Sequence, residues 1–150
     1  MNHAPRVLMV CLGNYCRSPL AQGILKSKLK NSDIEVDSAG TAGWHSGSRP
    51  HLQSIKVAQQ HGIDISNQLG RKLVSEDLDY FTHIYAMDRN NYQNIIDMCR
   101  NESQKSKVKM ILENGQSVPD PYGQSDQGFL ESYQLLNRAC QTIADQLSNS

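Results

Sequence analysis

Apolar and polar residues alternate along this chain in two rhythms: short unbroken apolar runs, and longer stretches with an apolar residue every three or four positions. The run ending Val7-Leu8-Met9-Val10-Cys11 predicts a strand over residues 6–11, buried on both faces. Leu20, Ile24, Leu25 and Leu29 then place one stripe along a helix over 18–30, with Pro19 in its first turn. Ile34 to Ser38 predicts a second strand, closed by Ala39-Gly40, and the Gly- and Ser-rich stretch from Thr41 to Pro50 predicts a mobile surface loop. A helix follows over 51–61, with Leu52, Ile55 and Ala58 inward and Gly62 at its end. Ser75-Glu76-Asp77 reads as an N-cap with an acidic first turn. Thr82 to Met87 predicts a third strand, and Asp88 caps a helix carrying Tyr92, Ile95, Ile96 and Cys99 at helical spacing. Val108 to Leu112 predicts the fourth strand. Phe129, Tyr133, Leu136, Cys140, Ile143 and Leu147 mark a last helix over 126–147. That final stripe fits a coiled-coil seam or the face of a helix packed on its own sheet, and an α/β chain of this size favours the second.

Strands alternating with helices predict an α/β fold, a parallel sheet with right-handed crossovers and helices on both faces. With 150 residues, no repeat and no linker-like stretch, residues 1–150 read as one domain. Fifteen basic residues balance fifteen acidic ones, so no net field draws the chain to nucleic acid or to an anionic membrane. Any anion must be held by a local site. No apolar run has the length of a transmembrane helix, and the start of the sequence lacks a signal-peptide pattern, so the expected location is cytoplasmic. The four cysteines lack paired C-x-x-C spacing and the five histidines are scattered. The expectation is therefore free thiols, no metal site and no cofactor.

One local pattern carries chemistry. Cys11 ends the first predicted strand, Gly13 and Asn14 lie in the loop that follows, and Arg17-Ser18-Pro19 opens the helix. A strand, a loop and a helix start in that order turn backbone N–H groups inward, onto the positive end of the helix dipole, and such a nest holds an oxyanion like phosphate. Arg17 adds a planar fork that can grip two oxygens of one phosphate. At the base of this field the Cys11 pKa should fall below the ordinary value of roughly 8.5, giving a thiolate nucleophile for phosphoryl transfer. The bland alternative makes Cys11 a small buried hydrophobe and Arg17 a solvated helix-start residue. Phosphoryl transfer also needs a proton donor for the leaving oxygen. Asp120, held between two prolines in Pro119-Asp120-Pro121-Tyr122-Gly123, is the candidate, against the reading of an ordinary turn aspartate.

Cys11 to Pro19, Asp37-Ser38-Ala39-Gly40-Thr41, Ala86-Met87-Asp88 and Asp120-Pro121-Tyr122-Gly123 occur in that order. Together they resemble the low-molecular-weight protein tyrosine phosphatase family over nearly the whole chain. The resemblance implies a four-stranded parallel twisted sheet flanked by helices, with the phosphate loop after the first strand. It implies Cys11 as nucleophile forming a phosphocysteine, Arg17 as phosphate clamp and Asp120 as general acid and then base. Leu12, Gly13, Asn14, Tyr15, Cys16, Arg17 and Ser18 would form the phosphate-binding loop. Ser18 resembles the hydroxyl that hydrogen-bonds the thiolate, and Asn14 the left-handed loop residue, supported by Ser38. Asp88, Trp44 and Tyr122 are supporting or wall residues by the same likeness. The implied partners are a tyrosine-phosphorylated protein or peptide as substrate, inorganic phosphate as product and a cognate tyrosine kinase system. The implied state is a monomer or weak dimer. Cys16, beside Cys11 in the loop, would capture an oxidised Cys11 as a reversible disulfide.

Three positions depart from the family pattern. Tyr15 stands where many relatives carry Ile and arginine phosphatases carry Thr, so its ring either shapes the pocket mouth or packs against apolar neighbours. Gln68 falls where bacterial relatives often place a His that supports the loop Asn. Gly123 replaces a second aromatic residue. Trp44 reads either as a pocket wall or as a surface indole. The rival functions are phosphoarginine hydrolysis, arsenate reduction and phosphoprotein binding without catalysis. Arsenate reduction asks for a close resolving cysteine pair, which Cys99 and Cys140 do not form in sequence. Binding alone requires neither nucleophile nor acid.

Overall fold

The computed structural model describes residues 4–148. Four strands form one sheet: β1 (Arg6–Cys11), β2 (Glu35–Gly40), β3 (His83–Ala86) and β4 (Val108–Met110). Their order is β2-β1-β3-β4 and every pairing is parallel. The longer helices are α1 (Arg17–Lys28), α2 (Leu52–Gln60), α4 (Arg89–Met98) and α6 (Asp126–Ser148), and two single-turn helices, α3 (Asp77–Tyr80) and α5 (Glu102–Lys105), complete the set. The fold class expected from the sequence is the one observed. Among the described residues no helix is long and apolar enough to cross a membrane.

β1 explains the layering. Val7, Met9 and Cys11 point into a core shared with α1, α2 and α6, whereas Leu8 and Val10 point into a second core with Leu78 of α3 and Ile95 of α4. A strand covered on both sides must be apolar at every position, which is why the run is continuous rather than alternating. The α6 stripe closes onto this same domain: Phe129, Leu136 and Cys140 are at most 1% exposed and belong to the first core. Each large side chain so buried contributes about 1.5–3 kcal/mol of hydrophobic stabilisation.

Several boundaries differ from expectation. α5 and a 3₁₀ turn at Glu113–Gly115 lack an apolar stripe and were not legible in the sequence. α3 begins after Glu76, and the carboxylate of Asp77, rather than Ser75, accepts the nearby Val74 N–H at 2.9 Å. Residues 41–50, expected to be mobile, are tied down by Gly47 N–H to Gly70 O at 2.9 Å and Gly70 N–H to Ser48 O at 2.8 Å. β4 stops at Met110, two residues short of the expected Leu112.

Sheet order sets the position of the site. The chain leaves β1 toward β2 on one side and returns to β3 on the other, so the loops after β1 and β3 diverge at the carboxyl edge. Such a crevice is where ligands settle in open α/β sheets.

Candidate active site

Cys11 is the last residue of β1, in register with Gly40 at the end of β2, and is 2% exposed. The loop of residues 12–16 rests directly on Gly40: a β-carbon there would lie 2.8 Å from both Asn14 N and Gly13 C. The loop carbonyls are claimed from outside the turn. Thr41 N–H donates to Cys11 O at 2.9 Å, Ala42 N–H to Leu12 O at 2.8 Å and His51 N–H to Tyr15 O at 2.9 Å. The Ser54 hydroxyl donates to Cys16 O at 3.0 Å. A turn whose carbonyls face outward presents its N–H groups to the interior, the arrangement of an anion nest. α1 starts immediately afterwards, with Cys16 at its N-cap, no capping side chain and no acidic residue in the first turn. Its positive end is left for an anion.

Asn14 holds the sharpest bend, at φ 53°, a left-handed conformation that Asn tolerates. Its amide donates to Ser18 Oγ at 2.8 Å and Ser38 Oγ at 2.9 Å and accepts from the Arg71 N–H at 3.0 Å. Ser18 Oγ lies 3.0 Å from Cys11 Sγ. Gln68, which departs from the supporting His of bacterial relatives, does not take over that role: its Oε1 is buried without a partner, and it makes no side-chain bond to Asn14. Gln22 and the Arg71 backbone occupy that supporting role, and Ser38 Oγ donates to Gln22 Oε1 at 2.5 Å. Neither residue carried a motif signal, since both act across elements that the fold alone brings together.

Arg17 is 3% exposed, and its Nη1 donates to Asp88 Oδ2 at 2.7 Å and to Val118 O at 2.9 Å. Asp88 therefore does two things, because its other oxygen accepts the Asn91 N–H at 2.7 Å and caps α4. It stands behind the guanidinium and is not a pocket wall. On the open side, Arg17 Nη2 lies 3.8 Å from Asp120 Oδ2. The Asp120 turn is pinned to the segment just after β3 by Val118 N–H donating to Met87 O at 2.8 Å, and its carboxylate accepts the Tyr122 N–H at 3.1 Å.

These groups surround a cavity of about 220 Å³ with Cys11, Arg17 and Asp120 in its lining. Leu12, Gly13, Tyr15 and Cys16 line it too, whereas Asn14 and Ser18, 2% and 0% exposed, lie behind the loop. Trp44 and Tyr122 form walls, and both readings of Trp44 hold, because the indole lines the cavity while remaining 73% exposed. Tyr15 also satisfies both alternatives. It lines the cavity and packs against the first apolar core, and it lies flat on the His45 ring, centroids 3.8 Å apart and planes 4° apart. His45 is a wall residue that sequence reading missed. Gly123 sits at φ +81°, where an aromatic side chain would be strained. Burial pushes the Cys16 thiol up to about 12, reinforced by Asp120 and Cys11 and offset in part by Arg17.

The chain is similar in sequence and fold to known proteins. The family model described as low molecular weight phosphotyrosine protein phosphatase matches residues 6–150. The low molecular weight protein-tyrosine-phosphatase YfkJ of Bacillus subtilis is 36% identical over 145 residues, covering 91% of this chain and 92% of its own length. A protein tyrosine phosphatase from Entamoeba histolytica, solved with Hepes in its active site, superposes at TM-score 0.90. It is 32% identical, with 97% of this chain and 98% of that one covered. Wzb of Vibrio vulnificus, solved in complex with benzylphosphonate, superposes at TM-score 0.88 and 28% identity, covering 96% of this chain and 99% of that one.

Proposed function

The chain belongs to the low molecular weight phosphotyrosine protein phosphatase family, and we propose that it hydrolyses phosphotyrosine and small aryl phosphates through a phosphocysteine on Cys11. The observation that carries this reading is one cavity lined by the Cys11 sulfur, a buried guanidinium and a carboxyl group. Residues 1–150 are proposed to act as one catalytic domain.

The geometry supports a two-step reaction. Loop N–H groups and Arg17 take the charge of the three equatorial phosphoryl oxygens. Cys11 Sγ attacks phosphorus in line as a thiolate, with the Ser18 hydroxyl positioned to donate to it, and the bond to the phenolic oxygen breaks. Asp120 gives its proton to that oxygen. In the second step Asp120 takes a proton from water as the water attacks the phosphocysteine, releasing inorganic phosphate and restoring the thiolate. Trp44, Tyr15 and Tyr122 offer flat faces to a phenyl ring, and Wzb of Vibrio vulnificus is solved in complex with benzylphosphonate, which carries such a ring. Aromatic walls favour phosphotyrosine over phosphoarginine. Assay of phosphotyrosine and phosphoarginine peptides side by side tests this. Cys11→Ser should abolish turnover, and Asp120→Ala should lower kcat by about 10²–10⁴-fold while phosphate still binds; near-normal rates in either variant overturn the mechanism.

The reading includes a cytoplasmic location, a tyrosine kinase that supplies the substrate, and a monomer or weak dimer. It also includes redox sensitivity, supported by four free cysteines. Peroxide converts the Cys11 thiolate to a sulfenic acid and hydroxide; the Cys16 thiol then closes a disulfide and releases water, and an added thiol reduces it. Because Cys16 is pushed up to about 12, this capture should quicken as pH rises. After one peroxide dose and thiol treatment, Cys16→Ser should recover less activity than the parent protein, and equal recovery removes the protective role.

A further inference from the structure

We infer that Gln22, on the buried face of α1, is a positioning residue for Cys11: its side-chain oxygen fixes the direction of a hydrogen-bond chain that ends on the Cys11 sulfur. The inference rests on the phosphatase reading above.

The direction follows from which groups can only donate. The Arg71 backbone N–H donates to Asn14 Oδ1 at 3.0 Å, which orients the Asn14 amide. Its nitrogen then faces two hydroxyls, Ser18 Oγ at 2.8 Å and Ser38 Oγ at 2.9 Å. An amide nitrogen has protons and no acceptor capacity, so both hydroxyls must accept from it. Each serine therefore sends its own proton elsewhere. Ser18 has Cys11 Sγ at 3.0 Å, and Ser38 has Gln22 Oε1 at 2.5 Å. Asn14, Ser18, Gln22 and Ser38 are 2%, 0%, 7% and 5% exposed, so bulk water offers no substitute partner. An acceptor at residue 22 keeps the Ser38 proton turned away from the Asn14 amide. That leaves Ser38 free to anchor Asn14, and Asn14 free to hold Ser18 as a donor to sulfur. Remove the acceptor, and Ser38 keeps either an unsatisfied proton or a poorer bond to Asn14, in a network whose members depend on one another.

Gln22→Met keeps length and removes the acceptor, whereas Gln22→Glu keeps an acceptor. Losing one hydrogen bond of ordinary worth should lower kcat for an aryl phosphate about three- to tenfold, with KM nearly unchanged. The rate of Cys11 alkylation by iodoacetamide at pH 7, read on the Cys11 peptide by mass spectrometry, should fall by a similar factor of about three to ten. Gln22→Glu should retain the parent kcat. In a Ser38→Ala background, Gln22→Met should have no further effect, because Gln22 acts through Ser38. Additive effects of the two substitutions, or a Gln22→Met protein with parental kcat and parental alkylation rate, would overturn the inference. If Gln22→Met does not fold, Gln22→Leu in the same cycle decides it. The alkylation readout needs no turnover, so an inactive parent protein defeats the phosphatase reading while the Gln22 comparison still gives its own answer.

Discussion

Arg17 is a permanent cation inside the protein, and its position follows from what neutralises it. The Asp88 carboxylate at 2.7 Å and the Val118 carbonyl at 2.9 Å hold Nη1, leaving the other end of the guanidinium toward the cavity. Asp88→Asn tests that division. Asn remains a good N-cap for α4, so the substitution removes charge and little else. Breaking a buried ion pair costs about 3–5 kcal/mol; Asp88 keeps 22% of its side-chain surface exposed, so about 2 kcal/mol is expected here. Activity should fall as well, by about tenfold in kcat/KM, because the clamp loses its fixed direction. Denaturant unfolding and steady-state kinetics on the same preparation check both numbers. Cys11, Arg17, Asp120 and Asn14 were legible in the sequence because they sit within short motifs. Gln22, His45 and the Arg71 amide were not, since each meets the site through a partner distant in sequence. The sequence marked Gln68 as a departure from the family's supporting residue, but which groups support Asn14 instead could not be read before its neighbours were placed.

At the scale of elements, the loop between β1 and α1 is shaped by the segments beneath it. Gly40, at the end of β2, is the point of closest approach, with Asn14 N, Gly13 C and Ala42 O all within 2.9 Å of where a β-carbon would stand. The segment after α2 bridges to the same glycine, with Gly40 N–H donating to Arg71 O at 2.9 Å and Leu73 N–H to Gly40 O at 2.7 Å. Arg71 is fastened there by Asp37 at 3.1 Å and Asp77 at 3.0 Å. All three obstacles at Gly40 are backbone atoms, so they cannot swing aside. Gly40→Ala should therefore cost about 1–3 kcal/mol through overpacking, and activity should suffer more than folding because the loop must lift. A thermal melt beside a phosphatase assay separates the two, and an unchanged kcat would contradict the role given to Gly40. Helices and strands with clear apolar stripes were legible to within a few residues. The single-turn α5 and the hydrogen-bonded 41–50 segment were not, because they are held by contacts with other segments rather than by a pattern of their own.

For the whole molecule, acid should weaken the fold through its histidines. His83 is held below its ordinary value of 6.5 by burial first and by Lys109 second, and His51 by burial first and by His45 second. A base whose folded pKa is depressed binds its proton more readily when unfolded. The stability tied to its neutral form is thus present above pH 6.5 and is lost as pH falls through the lower folded-state values. The melting temperature should decline below that point, and His83→Gln should flatten part of the decline. A Tm constant from pH 8 to pH 5 would contradict the assignment. The same scale explains α6, whose stripe was ambiguous in isolation: it closes over α1 and α2 because its stripe and their apolar faces bury one another and complete the core on that side of the sheet.

The sequence by itself determined the alternation of strands and helices, the two-sided burial of β1 and the presence of a thiol, a guanidinium and a carboxyl at turns. Those are properties of residues near one another in the chain, where periodicity, caps and glycines act directly. Only the tertiary structure decided that β1 lies between β2 and β3. It also brought Asp120 to the guanidinium of Arg17, set Tyr15 on His45 and gave Ser38 its acceptor in Gln22. Each of those contacts joins segments far apart in sequence, and their geometry exists only once the sheet order has been chosen and both cores are packed.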